Sequence, residues 1–290
     1  MRRLLFVTGL LLPLFCQAAP PIRVVTSFSI LADMTRQIGG EDISLSNIVG
    51  PDSDAHEYET SPTDARNVQQ ADLIIENGLQ FEPWLDRLVG STDAHGVLVK
   101  ASDGVEARTL DEDGQTIADP HAWNSLANAQ IYADNILKGL VKADPAHQSD
   151  YQRNHDAYVA QIHTLLEVAR QTFTSLPAGN RRIVTSHDAF GYMGQAYGIE
   201  FLAPEGLSTA HEPSAGEVAT LIRQIRTDHI KAVFMENIKD DRLLRQIAEE
   251  SGAKVGGTLY SDALATSGPA STYLGFYRSN IETLGKALRD

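Results

Sequence analysis

Cysteine is almost absent from this chain: its 290 residues include a single one, Cys16. One cysteine cannot form an intramolecular disulfide, and it cannot supply the several thiolates of a cysteine-rich zinc cluster. Because Cys16 also lies in a segment that we expect to be removed, the mature chain has no thiol nucleophile. Any metal ion must therefore be bound by nitrogen and oxygen atoms.

Positive charge is also scarce. Lysine and arginine together number 24, against 38 aspartates and glutamates, and the formal net charge is -14 at pH 7. An acidic surface repels the phosphates of nucleic acids and of anionic lipids, so we expect neither as a partner. The same surface attracts cations.

Long apolar runs are missing except near the N-terminus. There, arginines at positions 2 and 3 precede an apolar run from Leu4 to Phe15 and a small residue, Ala18. This order is typical of a secretory signal peptide, and we expect removal of residues 1–18 and a periplasmic protein that does not insert into the membrane. A lipoprotein with acylated Cys16 is disfavoured, because bulky Phe15 precedes the cysteine.

In the rest of the chain, short β-branched runs alternate with helical patterns. This alternation predicts the α/β class, with parallel sheets flanked by helices. The predicted strands are 22–27, 43–50, 72–76 and 97–100 in the first half, and 182–186, 232–236 and 254–257 in the second. Local signals mark helix starts, such as the capping box from Ser214 to Glu217.

One uninterrupted helical stretch, from about Ala146 to Thr174, separates the two groups of strands. At 1.5 Å per residue it would be on the order of 40 Å long. We therefore predict two α/β lobes joined by one long backbone helix. The predicted divisions are an N-terminal lobe at 19–145, a linking helix at 146–178 and a C-terminal lobe at 179–290.

Four potential metal ligands occupy equivalent places in this pattern, each on a loop between a strand and a helix. They are His56, His121 in the motif Asp119-Pro-His-Ala-Trp123, His187, which we expect to open a helix, and Asp262. Loops that follow parallel strands gather at the carboxyl edge of a sheet, where ligands bind. We predict that the four residues meet in the cleft between the lobes, two from each lobe.

Three imidazoles and one carboxylate match the nitrogen and oxygen ligands that Zn²⁺ prefers in four-coordinate sites. Four protein ligands leave no open position for an activated water molecule. The residue set therefore favours metal binding over catalysis.

These motifs resemble those of the solute-binding proteins of zinc and manganese ABC importers, the cluster A-I group. The resemblance covers nearly the whole mature chain, from the Gly50 to Pro62 loop through Ser186-His-Asp-Ala-Phe-Gly-Tyr192 to Tyr260-Ser-Asp-Ala263. It implies a binding protein without enzymatic activity that delivers its metal to a membrane permease with a cytoplasmic ATPase. It also implies that His56, His121, His187 and Asp262 bind the metal directly. We expect a monomer.

Two features bear on which metal is transported. In the family that the chain resembles, the third ligand is usually His in zinc-associated members and Glu in manganese-associated ones, and here it is His187. Imidazole suits zinc, whereas manganese prefers carboxylate oxygen. Many zinc members carry a His-rich loop before the second ligand, but segment 111–119 is short, acidic and free of histidine. We expect Zn²⁺, with Mn²⁺ or a mixture with iron as the alternative.

Several other polar residues have weaker signals. Asp54, Glu57 and Asp188 flank the proposed ligands and are candidates for orienting their imidazoles, and His211 is a candidate for an accessory role. The histidines of the long helix are expected to face solvent: His147, His155 and His163.

Two other functions compete with transport. A zinc-dependent hydrolase would use the same metal with Glu57 or Glu212 as its base, but the chain lacks a His-Glu-x-x-His helix motif and a Gly-x-Ser-x-Gly elbow. A metal-binding adhesin would act without a transporter, and no segment resembles a cell-wall anchor.

Overall fold

The computed structural model describes residues 20–112 and 115–289. The predicted signal peptide, residues 1–18, lies outside this part of the chain. The first half contains four strands and four helices around one sheet: β1 (Ile22–Phe28), β2 (Ile43–Val49), β3 (Leu73–Glu76), β4 (Val97–Lys100), α1 (Ser29–Gly39), α2 (Pro62–Gln70), α3 (Pro83–Ser91) and α4 (Leu126–Ala143).

All strands of this first sheet run parallel, in the order β2-β1-β3-β4. The central strand β3 is buried throughout, and β1 is buried from Val24 onward. Continuous apolar burial is expected of parallel strands whose two faces are both covered by helices. Between β4 and α4, an antiparallel hairpin of β5 (Thr109–Glu112) and β6 (Gln115–Ala118) leads to His121.

The second half repeats this architecture. Its elements are β7 (Arg182–Val184), α6 (Gly191–Tyr197), β8 (Glu200–Leu202), α7 (Ala215–Thr227), β9 (Ala232–Glu236), α8 (Arg242–Ser251), β10 (Lys254–Leu259) and α9 (Tyr273–Ala287). The parallel sheet has the order β10-β9-β7-β8. The capping box at the start of α7 is present as predicted. Strand β8 was not predicted, because its three residues, Glu-Phe-Leu, include no β-branched side chain.

The long connecting helix is α5 (Gln148–Thr174), and a short 3₁₀ turn, Pro145–His147, precedes it. It packs against α1 and α4 of the first half and against α9 of the second. The predicted fold class is confirmed: the chain is α/β, with two parallel sheets flanked by helices and one long helix between them.

The two halves share much of their hydrophobic core. One continuous cluster of buried side chains includes residues of both sheets and of α5 and α9. At the boundary, Tyr273 of α9 donates its hydroxyl to the carbonyl of Trp123, and its N–H donates to the carboxylate of Asp33. A large rotation of one half against the other would expose this apolar surface to water. Local movements of loops are therefore less costly than domain opening.

In the described parts of the chain, no helix has the length and apolar content needed to cross a membrane.

Candidate metal centre

The four predicted ligands lie together between the two sheets. His56 is on the loop after β2, His121 follows β6, His187 follows β7 and Asp262 follows β10. Each of the four offers one ligand atom, and all these atoms lie within 4.8 Å of one another. One detail differs from the prediction: His187 does not open a helix, because residues 185–190 form a loop and α6 begins at Gly191.

The spacing of the ligand atoms is that of a small tetrahedral site. The Nε2 atoms of His56 and His121 are 3.2 Å apart. From Asp262, one carboxylate oxygen lies 3.3 Å from Nε2 of His56 and 3.0 Å from Nε2 of His187, and the other lies 3.8 Å from Nε2 of His121. Four ligands at zinc-like bond lengths in a tetrahedron are separated by about 3.3 Å.

The site is almost closed to solvent. The side chains of His121, His187 and Asp262 are fully buried, and that of His56 is 6% exposed. Within the described chain, neither carboxylate oxygen of Asp262 has a well-aligned hydrogen-bond donor. A buried carboxylate without hydrogen bonds is costly, so it needs a positive charge beside it. The protonated ring of His187, 3.0 Å away, provides that charge in the absence of a metal, and a divalent cation held by all four residues would provide it in its place.

Burial and neighbouring charges shift the pKa values of His56, His187 and Asp262 in different directions. Burial lowers the pKa of His56, so this ring is neutral and ready to bind a metal. Burial also acts to lower the pKa of His187, but the carboxylates of Glu236 and Asp262 outweigh it and raise that pKa well above the usual value. For Asp262, burial acts to raise the pKa, but the imidazoles of His187 and His121 hold it well below its usual value. A metal must therefore displace a proton from His187, and its affinity falls as the pH drops below the pKa of this ring.

The ring of His121 is oriented from behind by Asp119. One oxygen of Asp119 lies 2.9 Å from Nδ1 of His121 and also accepts the backbone N–H of the same residue at 3.0 Å. The other oxygen accepts a hydrogen bond from the guanidinium of Arg108 at 2.6 Å. With its proton on Nδ1, the imidazole presents the lone pair of Nε2 to the site.

Arg108 also connects this arrangement to the second half of the chain. Its guanidinium carbon lies 5.5 Å from the ring centroid of Tyr192. It packs so closely on Gly191 that a β-carbon at that position would come within 1.3 Å of Nη1. The hydroxyl of Tyr192 accepts the backbone N–H of Arg108 and donates to the carbonyl of Asp119. Glycine at position 191 therefore permits the close packing of Arg108. Through Arg108 and Asp119, His121 is connected to the second half of the chain.

His187 has a corresponding partner in Glu236, at the end of β9. One oxygen of Glu236 lies 2.7 Å from Nδ1 of His187. The other accepts the backbone N–H groups of Ser186 and His187 at 2.7 and 3.0 Å. When a metal displaces one proton of this ring, the fully buried carboxylate beside Nδ1 favours retention of the other proton there, which leaves Nε2 for the metal.

Aromatic rings form the wall of the site on the side of the first half. Phe81 lies edge-on to His56 with ring centroids 4.7 Å apart, and Trp123 lies 5.3 Å from His121. The indole N–H of Trp123 donates to the carbonyl of Ser261, next to the fourth ligand. These rings restrict the imidazole orientations and keep water out.

The weaker sequence predictions had mixed outcomes. Asp119 and Glu236 orient imidazoles, rather than Asp54, Glu57 or Asp188; the structure shows Asp54 accepting the backbone N–H of His56. His211 is exposed and lies outside the four-residue cluster. The prediction that all three histidines of the long helix face solvent was wrong for His155, which is buried at 8% exposure with Nε2 2.8 Å from Asp134 of α4.

This fold and this site define the class of the protein: two parallel-sheet lobes with a nitrogen and oxygen metal site between them are typical of the metal-binding receptors of ABC importers. The comparison with protein families agrees. The family described as zinc-uptake complex component A, periplasmic (ZnuA), matches residues 24–287. Because this match covers most of the chain, the protein belongs to that family, as the sequence motifs predicted. It is a solute-binding receptor rather than an enzyme.

Related proteins carry the names of different metals. The iron-binding protein YfeA of Yersinia pestis is 35% identical over 271 residues, which cover 92% of this chain and 86% of YfeA. The manganese ABC transporter substrate-binding lipoprotein PsaA of Streptococcus pneumoniae is 34% identical over 275 residues, covering 92% of this chain and 89% of PsaA. The solved structure of the periplasmic zinc binding protein TroA from Treponema pallidum aligns with a TM-score of 0.88 at 29% identity, over 93% of this chain and 100% of that one.

These relatives also bear on location. The description of the family and the name of TroA both contain the word periplasmic, in agreement with the predicted export of this chain. PsaA and several other similar proteins are named lipoproteins, in contrast to our expectation for Cys16. That expectation concerns a residue outside the described part of the chain and stays a prediction.

Proposed function

We propose that this protein binds one divalent metal ion, zinc in preference to manganese, through His56, His121, His187 and Asp262. The observation that carries the proposal is the convergence of three imidazole nitrogens and a buried carboxylate within 4.8 Å of one another. In this proposal the metal is cargo, since four protein ligands occupy a four-coordinate ion and leave no position for a reacting water molecule.

The preference for zinc rests on the chemistry of the ligands. Three of the four are imidazoles, which suit zinc better than the harder manganese ion, and the third ligand, His187, is one of them. The general order of affinities of divalent metals also places zinc above manganese for a site of this kind. The distances between the ligand atoms are close to those of a tetrahedral zinc site.

Manganese is the alternative cargo, and iron is a further one. PsaA and YfeA are named for manganese and iron, and this chain is about equally similar to both. Asp262 supports this alternative, because its second oxygen is near His121 and a bidentate carboxylate would raise the coordination number.

We further propose that the loaded protein delivers its metal in the periplasm to a membrane permease with a cytoplasmic ATPase, and that it acts as a monomer. The lobes would be residues 19–145 and 179–290, with 146–178 as the linking helix. The shared core and the packing of α5 on both halves support a rigid connection and a preformed site.

The identity of the metal can be tested on the mature protein, residues 19–290, after it has been stripped of metal. It is offered equal concentrations of zinc and manganese, desalted, and analysed for bound metal by mass spectrometry, with zinc affinity measured by competition with a chelator. We expect one zinc per chain and no retained manganese. The variant His163→Ala, which alters an exposed histidine of α5, is the matched control and should bind as the wild type does. Retention of manganese against equal zinc would make manganese the cargo, and absence of bound metal would contradict the proposal as a whole.

A further inference from the structure

The loop that carries His56 is bonded to the second half of the chain at two points besides the ligand itself. We define the His56 loop as residues 50–57. At Asp52, one carboxylate oxygen accepts a hydrogen bond from the side chain of Asn237 at 3.0 Å, and the other accepts the backbone N–H of Thr266 at 2.8 Å. The backbone N–H of Asp52 donates to the carbonyl of Leu264 at 2.9 Å.

The second point is Asp54, whose two oxygens have different partners. One accepts the backbone N–H of His56 at 2.9 Å. The other accepts the hydroxyl of Thr209 at 2.7 Å, across the boundary between the two halves. A single carboxylate therefore fixes the backbone of a metal ligand and ties it to the opposite lobe. Thr209 is 2% exposed, so this charge-assisted hydrogen bond is protected from competing water.

Thr209 is held in place by other residues of the second half. The ammonium of Lys239 donates to the carbonyl of Thr209 at 3.1 Å and forms an ion pair with Glu205 at 3.0 Å. Both Lys239 and Glu205 belong to the second half, and the side chain of Glu205 is only 8% exposed. Lys239 and Glu205 therefore restrict the movement of the segment that carries the Thr209 hydroxyl.

The His56 loop lies on the solvent side of the metal site. His56 is the one ligand of the four whose side chain is accessible to solvent, whereas the other three are fully buried behind it. The shared core opposes a large separation of the lobes, so the least costly exit for a metal is displacement of this loop. Such a displacement requires the hydrogen bond between Asp54 and Thr209 to break.

We infer that Asp54 and Thr209 form a clasp that holds His56 against the bound metal and sets the rate at which the metal leaves. Asp54 is a positioning residue in this scheme: it acts through His56 and does not touch the metal. Asp52 also holds this loop, through its hydrogen bonds to residues of the second half. The inference rests on the proposed function, because it requires a metal in the four-residue site.

The test compares zinc release from the wild type and from Thr209→Val, which removes the hydroxyl but keeps the shape of the side chain. Zinc-loaded protein is mixed with excess chelator in a stopped-flow instrument and the release rate is recorded. We expect Thr209→Val to release zinc about tenfold faster, because the hydrogen bond from a buried hydroxyl to the half-buried carboxylate of Asp54 is lost. Thr209→Ser keeps the hydroxyl and should release zinc at the wild-type rate.

Three further readouts separate a clasp from a general structural defect. Thr209→Val should still bind one zinc per chain, with an unchanged X-ray absorption spectrum of the zinc, and its metal-free form should still unfold in a single cooperative transition. In an Asp54→Ala background, the same substitution should have no additional effect on release, since its partner is already gone. If the valine variant does not fold, Thr209→Ala takes its place.

A wild-type release rate in the folded Thr209 variant would overturn the clasp while leaving the proposed function intact. An additive effect of Thr209→Val in the Asp54→Ala background would overturn it as well. Failure of the wild type to bind zinc or manganese would overturn both the clasp and the proposed function.

Discussion

Replacement of His121 by alanine is expected to weaken zinc binding at least about a hundredfold. The loss should exceed the ten- to hundredfold range that is common when only a residue behind a metal ligand is changed, because a ligand atom itself is removed. His121 supplies one of the three imidazole nitrogens and is fully buried, so water cannot reach its place as readily as at an exposed position.

The metal-free form of this variant should remain folded. Asp119 keeps the guanidinium of Arg108 at 2.6 Å and the backbone N–H of residue 121 at 3.0 Å, so no buried charge loses all its partners. The missing ring leaves a cavity beside Trp123, at a cost of about 1–3 kcal/mol in the free energy of unfolding. Chelator competition measures the affinity and thermal unfolding the stability, with His163→Ala as the control. Wild-type zinc affinity in His121→Ala would remove this residue from the site.

Replacement of Glu236 by glutamine is expected to weaken zinc binding by a smaller factor, between about tenfold and a hundredfold, without removing any ligand. Glutamine retains the oxygen that accepts the N–H groups of Ser186 and His187, so the loop after β7 keeps its conformation. Its amide nitrogen would then face Nδ1 of His187, where the carboxylate oxygen lies at 2.7 Å in the wild type. An N–H donor there requires Nδ1 to accept, and this moves the ring proton to Nε2, the atom that faces the metal.

The pH dependence of binding distinguishes this effect from simple loss of structure. In the wild type, burial opposes protonation of His187, but the carboxylates of Glu236 and Asp262 raise its pKa well above the usual value. Zinc affinity should therefore fall as the pH drops through neutrality and below, because protons compete for this ring. In Glu236→Gln one of the two carboxylates is gone, so the pKa falls and the pH dependence should shift to lower pH.

Glu76→Gln is the matched control for this experiment. Glu76 is also a buried carboxylate at the end of a parallel strand, but its partner is Lys100 rather than a metal ligand. The control should keep the zinc affinity of the wild type and its pH profile. If Glu236→Gln bound zinc as tightly as the wild type, with the same pH profile, the proposed orientation of His187 would be wrong.

The proximity of the four proposed ligands could be predicted from the sequence because it depends on topology more than on side-chain detail. His56, His187 and Asp262 each come directly after a strand or its turn, and parallel strands bring such loops to one sheet edge. Helix boundaries with strong local signals were also predictable, such as the capping box that begins α7 at Ser214.

The groups that orient the ligands could not be assigned in the same way. The notable case is Glu236, which lies 49 residues from His187 in the chain and reaches it because β9 and β7 are neighbours in the sheet. Sequence proximity instead favoured Asp54, Glu57 and Asp188, because they flank the ligands. A signal was present, since Glu236 ends a strand of otherwise apolar residues, Ala232–Glu236, and a charge at the end of a buried strand needs a partner.

His155 illustrates the same limit on a helix surface. His147, His155 and His163 lie eight residues apart among polar residues, and this pattern predicted exposed side chains. The side chain is buried because α4 packs across it and offers Asp134 as a partner for its ring. Which faces of a long helix are covered depends on tertiary packing, and local periodicity does not record it.

The most direct test of the four-ligand site is anomalous diffraction from crystals of the mature protein grown with zinc, recorded at energies above and below the zinc absorption edge. We expect one strong peak between the two lobes, at about 2.0–2.1 Å from the Nε2 atoms of His56, His121 and His187 and at a similar distance from a carboxylate oxygen of Asp262. A zinc peak that lies elsewhere, or that contacts fewer than three of these residues, would contradict the proposed metal centre.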